Sequence, residues 1–225
     1  MALNRYRESV GVKSRAPLVE ISAAAQQAPS YLYSTQKRLL DIAIAMFGVL
    51  VLLAVLPFVI LAIKIGSPGP VFYRQRRMGR NGVSFDLVKF RTMAVNAEAD
   101  GNAVWATPDD PRVTGVGKVL RRLYIDEFPQ WWNVLKGDMS VVGPRPERPE
   151  MAARIVSVVP GFNDRLLAKP GITGVAQVNY KYTNTFSEAR NKLRMDMVYI
   201  NAASLFLDLK LIARTVRRVS SLKGT

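Results

Sequence analysis

Hydrophobic and polar positions are spread unevenly along the chain. Residues 1–36 are polar and rich in Ala, Ser and Gln, with no sustained apolar period, and QQAPS at 26–30 has the make-up of a linker. Such a stretch buries too little apolar surface to fix itself, so it reads as a flexible N-terminal arm. It does not read as a cleaved signal peptide, because no small-residue cleavage site follows the apolar segment ahead. Residues 42–63 then run IAIAMFGVLVLLAVLPFVILAI, 22 residues without a charge, closed by Lys64. A straight helix of that length is about 33 Å long, enough to cross a bilayer. Pro57 lies inside the run, where it removes one backbone hydrogen bond and predicts a kink. Both flanks are basic: Arg5, Arg7, Lys13, Arg15, Lys37 and Arg38 on one side, and Lys64, Arg74, Arg76, Arg77, Arg80, Lys89 and Arg91 on the other. Short basic flanks prefer the cytoplasm, and a single crossing satisfies only one of them. A re-entrant helix that enters, bends and returns satisfies both, so it is favoured over a spanning helix.

Beyond Gly66 the pattern changes to short alternating stretches. Residues 71–73 and 85–90 read as strands, and MGRNG between them is hairpin-like, with Asn-Gly as the turn signal. Lys89 and Arg91 lie two apart, so on a strand they share one face, either to grip phosphate or as a solvated edge. A short helix is predicted near 94–99 and another over 116–123. The helical pattern of 125–135 continues that helix or restarts it around Pro129, whose missing N–H leaves the carbonyl of Ile125 free beside Asp126. Trp131 and Trp132 point about 100° apart on a helix, so they cannot both be core. At least one is placed at lipid headgroups, where Trp is favoured. Residues 149–168 read as two helices around Pro160-Gly161, 169–174 as a turn, 175–179 as a short strand, and 186–200 as an amphipathic helix. Residues 205–222 form a basic amphipathic helix suited to an acidic membrane surface. The domain plan is an arm over 1–36, a membrane helix over 37–66, and a catalytic domain with interfacial helices over 67–225. The fold class is α/β, more narrowly α+β.

Composition narrows the chemistry. The net charge of +15 calls for an anionic partner. The chain has no Cys and no His. That excludes disulfides, Cys/His zinc sites, Cys nucleophiles and His-based triads. A nucleophile or base must then be a carboxylate, Ser, Thr, Lys or Tyr. The densest cluster of suitable groups is residues 120–146, LRRLYIDEFPQWWNVLKGDMSVVGPRP. It holds Arg121, the adjacent Asp126 and Glu127, Asp138, and Arg145 between two prolines. Pro146 biases Arg145 to extended geometry, and a fixed guanidinium holds phosphate at little ordering cost.

The ordered set KRLLDIA at 37–43, KFRTM at 89–93, RRLYIDEFPQWWNVLKGDMSVVGPRP at 121–146, KPGITGVAQVN at 169–179 and LDLKLIARTV at 207–216 resembles the monotopic phosphoglycosyltransferases. These are bacterial sugar transferases that initiate glycan assembly on polyprenyl phosphate. The resemblance covers about residues 37–218 and implies a re-entrant membrane helix. It also implies that a nucleoside diphosphate sugar gives its sugar phosphate to polyprenyl phosphate, releasing a nucleoside monophosphate. In its terms Asp126 is the nucleophile, with Glu127 beside it and Mg²⁺ at this carboxylate pair. Arg121 and Arg145 bind phosphate, with Lys89 and Arg91 as further candidates, and Gln177 and Asn179 are candidates to face the sugar. Bacterial inner-membrane lipid is an expected partner and nucleic acid is not, with both termini cytoplasmic. The chain departs from the family pattern at Leu53 and Ala54, where a Ser-Pro pair marks the membrane bend, and at Tyr124, where a small hydroxyl residue is common. Two other readings explain part of the pattern: a non-catalytic, membrane-tethered basic module for acidic lipid or nucleic acid, and a transferase using direct inverting transfer, which would release UDP instead of UMP.

Overall fold

The computed structural model describes residues 28–95, 97, 110–179 and 186–220. Most of the predicted arm and half of the helix expected near 94–99 lie outside these residues. The end of the arm is not loose. Residues Ser30–Tyr33 form a turn of 3₁₀ helix, with Leu32 buried in the core and the Tyr33 hydroxyl donating to the Leu167 carbonyl.

Helix α1 follows, Thr35–Gly66, capped by Ser34, whose Oγ accepts from the Lys37 N–H at 3.1 Å. It runs through Pro57 as one uninterrupted 32-residue element. Lys37, Asp41, Ala45, Gly48, Val59 and Ile63 are buried at helical spacing, with Leu52, Val55 and Leu56 partly buried between them. That stripe is how a helix packs one face along a body. The opposite face is apolar and open: Phe47, Leu50, Phe58, Leu61 and Ile65 are each more than 60% exposed. An apolar face of this extent marks a surface that meets lipid or a partner, not water.

Both ends of α1 are fastened to the same body. At the N-terminal end the Asp41 carboxylate accepts from the Ser140 Oγ and the Val141 N–H, both at 2.9 Å. Arg38 donates to the Val134 and Leu135 carbonyls at 2.7 and 2.6 Å, closing the C-terminus of α3 (Gln130–Lys136), where a cation also suits the helix dipole. Gly48 is needed midway, because a Cβ there would lie 2.4 Å from the Trp131 ring. Trp131 is thus half-buried against α1 while Trp132 is exposed, which separates the pair as their spacing predicts. At the C-terminal end, Val59 and Ile63 pack with Phe90 and with Leu120 of α2 (Gly115–Arg122).

Strands β1 (Phe72–Met78) and β2 (Ser84–Phe90) form an antiparallel hairpin, registered from Phe72↔Phe90 to Met78↔Ser84. β1 is longer than the 71–73 expected, because its arginines alternate: Arg74 and Arg76 face out, while Arg77 reaches a carbonyl inside. Asn133 docks α3 on the other edge of β2. Its Oδ1 accepts from the Val88 N–H and its Nδ2 donates to the Asp86 carbonyl, the bonds another strand would make. A second, parallel pair joins β3 (Ser140–Val142) to β4 (Gly171–Thr173). The predicted strand at 175–179 is instead a short helix, α5 (Val175–Asn179). Val175 and Val178 lie three apart and both pack on the core, a helical spacing that a strand would send to opposite faces. Helices α4 (Pro149–Val158), α6 (Phe186–Ala202) and α7 (Leu205–Ser220) complete the domain. The fold is α+β, with small sheets amid helices and one long apolar helix.

Candidate active site

Helix α2 brings the first cation to the site. Its N-cap Thr114 accepts from the Gly117 N–H at 2.9 Å, and a Cβ on Gly117 would sit 2.0 Å from the Thr92 carbonyl oxygen. Glycine therefore lets the helix rest on the segment leaving β2. One consequence is that Arg121 Nε reaches Thr92 Oγ1 at 2.9 Å. The chain then turns through Tyr124, which is left-handed at φ 57°. A bulky non-glycine residue in this region is strained, and such strain collects at functional sites. It directs a single 3₁₀ turn, Ile125–Glu127, and Pro129 separates that turn from α3.

The two carboxylates on this turn have different surroundings. Glu127 is gripped: its Oε1 accepts from Lys89 Nζ at 2.7 Å and Arg145 Nη2 at 2.6 Å, and its Oε2 from Arg145 Nη1 at 3.3 Å. Burial alone would raise its pKa, but the charges of Arg145 and Lys89 and their hydrogen bonds hold it well below the usual carboxylate range. Asp126 is 7% exposed, and no donor among the described residues hydrogen-bonds to its carboxylate. Burial, joined by the charge of Glu127, pushes its pKa up to about 6 against the opposing charges of Lys89, Arg121 and Arg145. One carboxylate serves as a fixed counter-ion and the other is left bare beside three cations. That division suits a nucleophile facing phosphate.

Asp126, Glu127, Lys89, Arg121 and Arg145 are thus brought together. Arg91 is not. It is buried, with Nη2 donating to the Ser67 carbonyl at 2.9 Å and Nη1 to that of Pro68, so it ties down the exit of α1. Strand β2 ends at Phe90, and beyond it the two-residue alternation with Lys89 no longer holds. The side-chain amide nitrogens of Gln177 and Asn179 donate locally to the Ile172 and Val175 carbonyls, Gln177 Oε1 is buried without a partner among the described residues, and no hydrogen bond joins either residue to the carboxylate site. Sequence reasoning missed Thr92, although it stands within KFRTM, and missed Arg77, Arg165 and Asp196, which carry no motif of their own.

Among the described residues no three acidic side chains gather as a metal cage. Mg²⁺ does not require one, since it usually keeps several waters and takes one or two carboxylates together with substrate phosphates. The open Asp126 carboxylate fits that role. Glu127 fits it less well, because its oxygens already serve Lys89 and Arg145.

A bare buried carboxylate and fixed cations thus stand close to a long apolar helix with an open apolar face. The sequence profile of bacterial sugar transferases matches residues 32–221, and the chain belongs to that family. It is 40% identical over 191 residues to the UDP-N-acetylgalactosamine-undecaprenyl-phosphate N-acetylgalactosaminephosphotransferase of Aeromonas hydrophila, covering 85% of this chain and 45% of that relative. It is 42% identical to the UDP-glucose:undecaprenyl-phosphate glucose-1-phosphate transferase of Klebsiella pneumoniae, covering 80% and 39%. A Caulobacter vibrioides protein of the same name is 41% identical, covering 84% and 71%. The chain therefore spans less than half the length of the first two relatives.

Proposed function

We propose that this chain transfers a sugar 1-phosphate from a UDP-sugar to undecaprenyl phosphate, the reaction for which its relatives are named. The observation that carries the reading is the division of labour between the carboxylates, with Glu127 neutralised by Lys89 and Arg145 and Asp126 left bare. An Asp126 oxygen attacks the sugar-linked phosphorus. The bond from that phosphorus to the bridging oxygen breaks and UMP leaves, so the phosphosugar is held as an acyl phosphate. A phosphate oxygen of the lipid then attacks the same phosphorus, releasing Asp126 and forming undecaprenyl diphosphate sugar. Arg121, Arg145 and Lys89 offset the negative charge of each phosphate in turn, which phosphoryl transfer needs more than acid–base range. Mg²⁺ held at Asp126 would supply further charge neutralisation on the diphosphate.

Labelled UDP-sugar with Mg²⁺ and no lipid is expected to label the protein and release UMP. Steady-state kinetics with both substrates should be ping-pong. Release of UDP, or kinetics requiring both substrates before any product leaves, would count against the covalent route. Failure of a panel of UDP-sugars to react at all would favour a non-catalytic basic module.

The same reading makes the chain monotopic, with α1 seated in one leaflet. Its support is geometric: the helix enters at Asp41 on β3 and leaves at Ser67 and Pro68 under Arg91, both on one body. This replaces much of the charge argument, because Lys37 and Arg38 are engaged inside the protein and are not free flanking cations. The open apolar face of α1 and the exposed Phe206, Leu209, Val216 and Val219 of α7 would meet lipid. Single cysteines placed at positions 20 and 220 of this Cys-free chain should both resist an impermeant thiol reagent in intact cells. Labelling of either from outside would exclude the one-sided topology.

A further inference from the structure

Arg145 sits in a turn in which Pro144 and Pro146 have no N–H to donate. The turn is held through its carbonyls instead. Pro144 O accepts from Gly171 N at 2.9 Å, Arg145 O from Arg165 Nη2 at 2.8 Å, Pro146 O from Arg77 Nη1 at 3.0 Å, and Glu147 O from Met78 N at 2.8 Å. Four consecutive carbonyls are claimed, two of them by arginine side chains from distant elements.

Arg165 is itself held rigidly. It is 3% exposed, its Nε donates to Asp196 Oδ2 at 2.8 Å, its Nη2 lies 2.7 Å from the same oxygen as an ion pair, and its guanidinium lies 4.9 Å from the centre of the Phe162 ring. Glu147, the residue closing the turn, faces Arg165 Nη1 at 3.7 Å and is bonded to Lys192 of α6. A buried Arg–Asp pair on its own is commonly a packing device. Here the same guanidinium nitrogen also holds the backbone of the arginine whose side chain grips Glu127.

We infer that Arg165, locked by Asp196, is a positioning residue for Arg145. Through it α6 sets the reach of the Arg145 guanidinium toward the donor diphosphate. The inference rests on the transferase reading for the identity of that diphosphate. Lysine at 165 would keep the charge opposite Asp196. It lacks the planar fork that serves Asp196 and the Arg145 carbonyl together.

The test is a double-mutant cycle on the full chain in lipid nanodiscs, read as affinity for the UDP-sugar that wild type turns over. Asp126→Asn is present throughout so that no turnover intervenes. Arg165→Lys should weaken binding about tenfold with Arg145 present, and less than about twofold in the Arg145→Ala background, since contacting residues on one path are not additive. A merely structural role would lower thermal stability but leave the two effects additive, and an equal loss in both backgrounds overturns the inference. Should Arg165→Lys not fold, Arg77→Lys loosens the same turn through the Pro146 carbonyl and is expected to show the same coupling; additivity there overturns it equally. If wild type turns over no UDP-sugar, the failure belongs to the transferase reading and not to the positioning path.

Discussion

Asp126→Asn is expected to abolish UMP release and protein labelling, a loss of at least about a thousandfold, while leaving the fold as stable as wild type or more so. The two halves of this expectation have one cause. Burial raises the Asp126 pKa to about 6, with Glu127 adding repulsion and Lys89, Arg121 and Arg145 opposing. A carboxyl whose folded pKa lies above its unfolded value binds more protons in the folded state between those values. It therefore favours folding at low pH, and that contribution is lost as pH rises through about 6. At neutral pH the ionised group is a cost to stability. Asparagine keeps the shape and removes the charge, so thermal unfolding should move upward or not at all. The same titration predicts an acid limb, with activity falling as pH drops through about 6 because the nucleophile takes up a proton. Bound Mg²⁺ would draw this limb lower. An Asp126→Asn protein that still releases UMP at near wild-type rate would remove Asp126 from the chemistry. One that is inactive but clearly less stable would leave misfolding as the simpler explanation.

What could be read from the sequence follows the range of the interactions. The long apolar helix, the hairpin with its Asn-Gly turn and the break at Pro129 each rest on local periodicity or backbone chemistry, and each is present. Pro57, where a bend is expected, does not interrupt the helix. A proline costs one backbone bond, and in this protein α1 packs along one body at both ends and continues as a single helix. The strand expected at 175–179 failed because five residues cannot separate the two periods, and the β3–β4 pair is too short to show alternation. At the site, residue types indicated carboxylates and cations, but not who pairs with whom. Lys89 and Arg91 look equivalent in spacing, yet one faces Glu127 and the other is buried against backbone carbonyls. Arg165 and Asp196 lie 20 and 51 residues beyond Arg145, and only the tertiary fold reveals that they serve its turn.

The charge at Lys37 illustrates the same gap and carries the second large effect. In sequence it is a basic flank of a membrane helix. In the fold its Nζ lies 2.6 Å from Asp208 Oδ2 with side-chain exposures of 6% and 0%, and it also donates to the Val142 carbonyl at 3.2 Å. The Tyr199 and Tyr31 hydroxyls complete the carboxylate, each at 2.9 Å. This joint ties the start of α1 to α7 and to the strand that leads into Arg145. Lys37→Met would leave Asp208 charged and buried with two phenols and no cation. Breaking one side of a buried pair costs about 3–5 kcal/mol. For a domain of this size that corresponds to a fall in Tm of roughly 6–20 °C. Adding Asp208→Asn should recover part of the loss, since the charge is gone while the amide oxygen can still accept from a tyrosine. Thermal unfolding of the three proteins in the same detergent measures this directly. A Tm for Lys37→Met within a degree or two of wild type would mean that the pair is not closed in the folded protein and that Lys37 is free to act as a surface cation at the membrane.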